Sequence, residues 1–393
     1  MVDPSVKIPL NVSSLVGMVF PLLAVYFVTA LLVIFPGTVV WRRSLLPFTL
    51  WLGLRVGACL DVSGGDPIKA QANQSHALFT FMIVMRCIVW AVYSDQVRPI
   101  PGTPADANVK RASVRAALQN ACDLALGFRE LSWQGPSKPR TLLQVPPSQQ
   151  RFPFLRGRIL SVILHLILGD ALLFALQSFS PELSTPGGGS VFDPSLPASW
   201  RYLRSTTMTF LFGTLIYVTT RTVYDAISVL AILILRQSPS QWPPLFFSPW
   251  RATSLTELWG DRWHHLNRSY MVALGAKPVS RIFGRAAGVL GAFTISGLMH
   301  DLGLRAVGRG SDFVAIFGFF FMMGVGVVME SAWKSMSGRL PSGIGGRLWI
   351  LGWLGLWGNR AADAWLTRGA AASGLVPGPY RPFKLVWAFV TEP

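Results

Sequence analysis

The chain has 393 residues, of which 51% are hydrophobic and only 13% are charged, about half the charged share of a typical soluble protein. Apolar runs of roughly 20 residues recur along it, and each is long enough to cross a bilayer as a helix. The net charge is +17, but the basic residues lie largely in loops between apolar runs, where membrane topology accounts for them. A single soluble domain is excluded, and we expect no nucleic-acid partner.

The apolar runs predict an all-α, polytopic integral membrane protein with about eight (seven to nine) transmembrane helices. We expect residues 1–393 to form one membrane domain. A re-entrant segment is predicted near 383–390. The predicted spans are 15–35, 44–60, 75–93, 156–179, 208–235, 286–307, 312–331 and 347–358.

Loop charge predicts the orientation of these spans. Residues 94–155 and 236–285 are both basic and are separated by two spans, so both can be cytosolic, as the positive-inside rule requires. The acidic, Gly/Pro/Ser-rich loop 181–200 between them would then be lumenal. We expect the protein in the endoplasmic reticulum membrane, surrounded by lipid.

Two features within this layout have simple structural interpretations. Arg221 and Asp225 are four residues apart in the fifth span, so they can pair on one helix face, either as a structural pair or as the lining of a substrate tunnel. Cys59, Cys87 and Cys122 lack the spacing of a metal or redox motif. We therefore expect neither a metal site nor a disulfide framework.

A tryptophan-rich segment follows the fifth span. Ser254 and Glu257 have the spacing of a capping box, and Gly275 with Pro278 predicts the helix end. On one helix its aromatic and leucine side chains would share a face along the cytosolic membrane surface, opposite a polar face. That polar face is either a solvated stripe or a recognition surface for an anionic, nucleotide-bearing substrate.

His300 stands inside the apolar run 286–307, where an ionisable side chain costs free energy and needs a reason to be present. Ser296 lies four residues before it on the same helix face. Asp301 and Arg305 are also four apart, on another side, where an ion pair would offset their burial. His300 is either a buried, hydrogen-bonded histidine or a neutral imidazole that accepts a proton from a hydroxyl.

Leu258-Trp-Gly-Asp-Arg-Trp-His264 followed by Ser296-Gly-Leu-Met-His-Asp301 resembles the signature of wax synthase-like acyltransferases, within the membrane-bound O-acyltransferase superfamily. The resemblance is strong over about fifty residues, and the signature region is about 254–305. Leu258 replaces a common phenylalanine and Asp301 a common glutamate. Elsewhere only the many-span layout is similar.

The resemblance implies acyl transfer from acyl-CoA to an alcohol, with His300 in the place of the catalytic histidine. It implies substrate-binding residues, which engage acyl-CoA, at Trp259, Asp261, Arg262, Trp263 and His264, with Ser296 and Asp301 in support. No bound cofactor is implied; acetyl-CoA is a co-substrate.

The chain is also similar to compact wax synthase-like proteins of filamentous fungi, which acetylate terpenoid and meroterpenoid hydroxyls. We therefore expect an O-acetyltransferase that acts on a lipophilic secondary metabolite.

Three alternatives stay open: a wax or sterol ester synthase, a transporter and a membrane scaffold. A long-chain wax or sterol ester synthase would have a longer substrate pocket, and the length of the pocket cannot be read from the sequence. A proton-coupled transporter could place His300, Asp225 and Asp301 within its spans, although we find no inverted or parallel repeat of the kind many transporters carry. A membrane scaffold would leave the tryptophan-rich segment and His300 without a purpose.

Overall fold

The structure is a computed structural model that describes residues 7–93, 97–101, 103–111, 113–128, 131–135, 150–264 and 266–391. Helices dominate these ranges, and the strands are two-residue pairs: β1 (Ile8–Pro9) with β2 (Leu60–Asp61), and β3 (Arg98–Pro99) with β4 (Trp133–Gln134). Residues 129–130 and 136–149 of the first basic loop lie outside the described residues, and so does His265. The prediction of an all-α architecture is confirmed.

The helices, in chain order, are α1 (Val12–Ile34), α2 (Val39–Ser44), α3 (Leu46–Leu54), α4 (Gln71–Val92), α5 (Pro104–Arg111), α6 (Val114–Leu126), α7 (Arg151–Gln177), α8 (Ala198–Ile234), α9 (Leu255–Glu257), α10 (Arg268–Met271), α11 (Lys277–Arg305), α12 (Phe313–Ser337), α13 (Gly343–Leu366) and α14 (Pro382–Thr391). Wider π-helical turns extend α3 over Arg55–Cys59, α9 over Leu258–Arg262 and α10 over Val272–Ala276.

In the described ranges, six helical stretches are long and apolar enough to cross a membrane: α1, α4, α7, α8, the stretch Arg268–Arg305 and α12. Each overlaps one of the predicted spans, although Arg268–Arg305 begins well before the predicted 286–307. The two other predicted spans, 44–60 and 347–358, are helical as α3 and α13, but neither is among these six. The predicted segment 383–390 lies in α14, whose apolar side chains are largely exposed.

The predicted helix end at Gly275 and Pro278 is wrong. Pro278 lies in the first turn of α11, where its missing N–H costs no helical hydrogen bond, and the chain stays helical until Gly284 (φ 83°, ψ 177°). A Cβ at Gly275 would lie 2.2 Å from the carbonyl oxygen of Gly291. In one straight helix these residues would be about 24 Å apart, so the chain reverses at Gly284 and forms a helical hairpin.

The prediction of one continuous amphipathic helix after Ser254 is also wrong. The helical turn ends at Trp263, whose backbone is extended (φ −74°, ψ 164°), and α10 begins only at Arg268. The apolar side chains therefore do not form one membrane-facing stripe. Leu255 and Leu258 pack against α12 and α13, Trp263 packs beside Phe246, and Tyr270 packs near α4.

The predicted Arg221–Asp225 pair is present, with 2.7 Å between Nε and Oδ2. Asp225 is completely buried and also accepts hydrogen bonds from Arg158 and Ser161 of α7. Two cations and a hydroxyl offset the cost of burying this carboxylate. The cluster joins α7 to α8, which is a structural role.

Candidate functional site

Glu330 of α12 anchors the tryptophan-rich segment to the helix bundle. Its buried carboxylate accepts hydrogen bonds from the backbone N–H groups of Leu255 (2.6 Å) and Thr256 (2.8 Å), and from the indole of Trp349 on α13 (2.8 Å). The N–H groups in the first turn of a helix have no intrahelical partner and favour a negative charge. The carboxylate of another helix therefore completes this helix start.

Glycine allows the segment to approach so closely. A Cβ at Gly326 would lie 2.4 Å from Cδ1 of Leu255, and a Cβ at Gly346 would lie 2.2 Å from the carbonyl oxygen of Thr253. Both distances are shorter than van der Waals contact. A larger residue at Gly346 would push the backbone of the segment away from α13, and one at Gly326 would displace the Leu255 side chain.

Half of the predicted capping box is present. Ser254 Oγ accepts from Glu257 N–H (3.0 Å), but Glu257 accepts from Thr253 N–H (2.8 Å) and from Arg262 Nε (2.7 Å). Burial alone would raise the Glu257 pKa, yet these bonds hold the pKa below its usual value. Arg262 also donates to the carbonyl oxygen of Phe247 (2.9 Å). Its guanidinium therefore links the loop before Ser254 to Glu257.

The other predicted substrate-binding residues line the same turn. Trp259 contacts the rings of Phe293 on α11 and Phe319 on α12, both at 6.4 Å between centroids. Trp263 lies edge-on to Trp259 at 5.7 Å, and the His264 ring lies 5.9 Å from Trp263. Asp261 is partly buried beside them.

His300 is held in one orientation on α11. Its Nδ1 lies 2.8 Å from the carbonyl oxygen of Ser296. A carbonyl can only accept, so Nδ1 carries the proton, and the neutral ring keeps its lone pair on Nε2. The imidazole stacks on Phe320 of α12 at 4.2 Å and meets the edge of Trp365 of α13 at 6.4 Å.

Ser296 and Asp301, the two residues predicted to support the site, have different partners in the structure. Ser296 supports His300 through its backbone carbonyl oxygen. Asp301 is buried and instead accepts from Arg305 Nε (2.7 Å) and from the hydroxyl of Ser311. The predicted ion pair is therefore present, and it stabilises the end of α11 before the turn to α12.

Two phenylalanines connect the tryptophan-rich segment to His300. Trp259 contacts Phe319, whose ring lies 5.1 Å from Phe320, and Phe320 stacks on His300. Phe293, the second contact of Trp259, lies two helical turns before His300. The two motifs, about thirty residues apart in sequence, therefore contribute to one aromatic cluster within the bundle.

Sequence reasoning missed Glu330, Phe320 and Trp365. A carboxylate within an apolar helix is a signal for Glu330, because such a charge needs a specific partner. No sequence signal distinguishes Phe320 or Trp365 from the many other apolar residues of α12 and α13.

Comparison with known proteins places this site in a family context. Residues 242–322, which include the tryptophan-rich segment and His300, match the model of the membrane bound O-acyl transferase family. The predicted resemblance to this superfamily is thereby confirmed. Together with the apolar helices, it identifies the chain as a polytopic integral membrane protein.

Three relatives illustrate the range of similar proteins. The chain is 29% identical to the acetyltransferase spyB of Aspergillus fumigatus over 59% of its own length and 43% of the relative's. It is 24% identical to the acetyltransferase atnC of Arthrinium sp over 65% of this chain and 63% of the relative. It is 33% identical to the long-chain-alcohol O-fatty-acyltransferase of Simmondsia chinensis over 25% of this chain and 30% of the relative. Each match spans less than two thirds of the relative.

Replacing Glu330 with Ala should destabilise the protein because it leaves the buried N–H of Leu255 and the partly buried N–H of Thr256 without an acceptor. We expect a loss of about 1–3 kcal/mol for each such donor, together with a red shift of tryptophan fluorescence as Trp259 and Trp349 become wetter. Thermal unfolding in detergent measures the first effect. The exposed Glu182→Ala is the control, and an identical unfolding midpoint for the two variants would contradict the anchoring role.

Proposed function

We propose that the protein is an acyl-CoA-dependent O-acyltransferase that transfers an acetyl group from acetyl-CoA to a hydroxyl of a lipophilic secondary metabolite. The observation that carries the proposal is His300, whose Nδ1–H is bound to the carbonyl of Ser296 so that Nε2 is available as a base. The family match over residues 242–322 supports the reaction class. The acetyltransferases among the relatives favour acetate over a long acyl chain.

His300 acts as the general base in this proposal. Nε2 removes the proton from the acceptor hydroxyl, and the alkoxide oxygen attacks the thioester carbonyl carbon. The carbon–sulfur bond then breaks, and the CoA thiolate takes the proton from the imidazolium. The products are the ester and free CoA, and the protein forms no covalent intermediate, so it needs no serine or cysteine nucleophile.

Replacing His300 with Ala should lower transfer by at least about 100-fold, the usual contribution of a general base. The assay uses microsomes carrying the protein, acetyl-CoA or palmitoyl-CoA, and a panel of terpenoid and fatty alcohols. His165→Ala is the matched control, because that histidine is also half-buried in a membrane helix and hydrogen-bonded to a carbonyl four residues earlier.

Unchanged transfer by His300→Ala would overturn the base assignment. Transfer of palmitate alone by the wild type would favour the second candidate, a wax or sterol ester synthase, for which the Simmondsia chinensis relative and its plant homologues are the supporting observation. Transport of a solute without transfer would favour a proton-coupled transporter.

The donor-binding role belongs to Trp259, Asp261, Arg262, Trp263 and His264. In support of this, the turn that carries them is held against the bundle by Glu330 and adjoins the aromatic cluster of His300. Basic side chains in the loop 236–285 would attract the CoA phosphates.

Replacing His264 with Ala should mainly raise the KM for the acyl donor, because the substitution removes a ring beside Trp263 without touching His300. Initial rates at varied acyl-CoA, with saturating acceptor, measure this. The KM for the acceptor in the same variant is the internal control. A fall in kcat with an unchanged donor KM would contradict the donor-binding role.

We also propose an orientation and a location for the protein. The loops 94–155 and 236–285 lie in the cytosol, and the membrane is that of the endoplasmic reticulum. The apolar helix α7 supports this, because it separates the first basic loop from the acidic loop 181–200.

A peptide tag inserted after Gln150 should be cleaved when protease is added to sealed microsomes, since the positive-inside rule places it in the cytosol. A tag at the exposed Ser195, beyond α7, should be protected until detergent is added. The reverse pattern would invert the topology, and protection of both tags would remove α7 as a span.

A further inference from the structure

The basic loop 94–155 contains a helix, α6 (Val114–Leu126), whose C-terminal end lies among the spans. It contacts α1 and α4, two of the helices that are long and apolar enough to cross a membrane. The hydroxyl of Tyr26, near the middle of α1, donates to the carbonyl oxygen of Ala125 (2.7 Å). The end of α6 is therefore packed below the ends of the spans, although α6 belongs to a loop between them.

Arg86 of α4 binds the same helix end. Its side chain is completely buried, and its guanidinium donates to the carbonyl oxygens of Leu124, Ala125 and Gly127. The last carbonyl groups of a helix have no intrahelical donor, and a positive charge is favourable beside them. Water satisfies such carbonyls at a protein surface, whereas inside a membrane the protein itself must do so. The end of α6 thus has the hydrogen bonds that a helix end within a membrane requires.

The turn after α6 reaches the middle of α4. Arg86 lies six residues, or about 9 Å, before the end of α4 at Val92. The ring of Phe128, two residues after α6, lies 5.4 Å from that of Phe79, which is about 20 Å before the same end. Half of the hydrocarbon core of a bilayer is about 15 Å thick. The turn therefore lies at the depth of the acyl chains.

The chain then returns to the side from which it came. Strand β3 (Arg98–Pro99), which begins six residues after the end of α4, pairs with β4 (Trp133–Gln134), which follows α6. The segment between the two strands thus enters the bundle and leaves it beside the same end of α4. It does not cross the membrane, so it leaves the order and orientation of the spans unchanged.

The exposed side of α6 becomes apolar toward the inserted end. Cys122 and Leu126 are exposed in its last two turns. Asp123, the one acidic residue of α6, accepts a hydrogen bond from the indole of Trp133 (2.9 Å). The exposed residues of the first two turns are partly polar: Val114, Arg115, Leu118 and Gln119. This gradient is expected of a helix whose beginning lies among lipid head groups and whose end lies among acyl chains.

Lipid is the partner that fits this surface. Within one turn of Tyr26, α1 exposes Leu23 and Val28, as a span does where it faces the bilayer. Since α6 packs on α1 at this level, the lipid around α1 also reaches α6.

We infer that α6 is a re-entrant membrane helix whose exposed face, formed by Leu118, Cys122 and Leu126, contacts lipid acyl chains. The leaflet is the one on the side of the basic loop 94–155, which is the cytosolic leaflet in the proposed orientation. The loop is thus aqueous on either side of α6 and membrane-immersed at α6 itself.

Nitroxide spin labels in the reconstituted protein test the inference by the saturation of their electron paramagnetic resonance in liposomes. One label is placed on Cys122 and another, in a Cys122→Ser background, on Arg115→Cys. These positions are seven residues, or two turns, apart and share the exposed side. Oxygen dissolves in lipid, whereas the nickel complex NiEDDA stays in water. The ratio of oxygen to NiEDDA accessibility should be at least about threefold higher at Cys122 than at Arg115→Cys, because the bilayer core excludes water.

Two further labels calibrate the measurement. Ile163→Cys lies on the exposed, apolar side of α7 and reports lipid, and Ser195→Cys lies in the exposed loop after α7 and reports water. Cys122→Ser alone reports any labelling of Cys59 and Cys87, which are buried.

NiEDDA accessibility at Cys122 equal to that at Ser195→Cys would overturn the inference, because it would place α6 in water. Shielding of Cys122 from both oxygen and NiEDDA would also overturn it, because protein would then cover the helix. Neither signal requires an acyl donor or an acceptor, so the inference and the proposed function can fail separately.

Discussion

The carboxylate of Glu330 holds the first turn of the tryptophan-rich segment between α12 and α13, and the positions of the residues that follow depend on it. It accepts hydrogen bonds from two backbone N–H groups and one indole, and the bond from Leu255 is fully buried. Because the segment breaks at Trp263, its own helix is too short to be stable alone. Its conformation is imposed by this carboxylate and by the close approach that Gly326 and Gly346 allow.

In the part of the chain that the structure describes, several ionisable side chains stabilise the bundle, whereas His300 suits the proposed chemistry. Asp225 and Asp301 each pair with one or more arginines, which offsets the desolvation of the carboxylate. His300 has instead a backbone carbonyl on one nitrogen and aromatic rings around it. In the proposed function, these contacts hold the ring in the orientation that proton abstraction from an alcohol requires.

Several elements of the fold and the site were predictable because they depend on local sequence. The six apolar helices follow from run length, the Asp301–Arg305 and Arg221–Asp225 pairs from four-residue spacing on a helix, and the Ser254 cap from its place before a helical turn. The continuous amphipathic helix was wrong because tertiary contacts of Leu255, Trp263 and Tyr270 with three different clusters outweigh a shared helical face. The helix end at Gly275 was wrong because Gly284, not Gly275, adopts the positive φ that terminates the helix.

The sequence by itself determined the membrane class, the approximate positions of six apolar helices and the two motifs of the superfamily, since hydropathy and motif spacing are properties of the chain alone. Only the tertiary structure decided what surrounds His300 and which side chains approach the motifs from other helices. Phe320 and Trp365 lie 20 and 65 positions from His300 along the chain, and Glu330 lies 75 positions from Leu255. Contacts over such separations arise from helix packing, which local patterns do not encode.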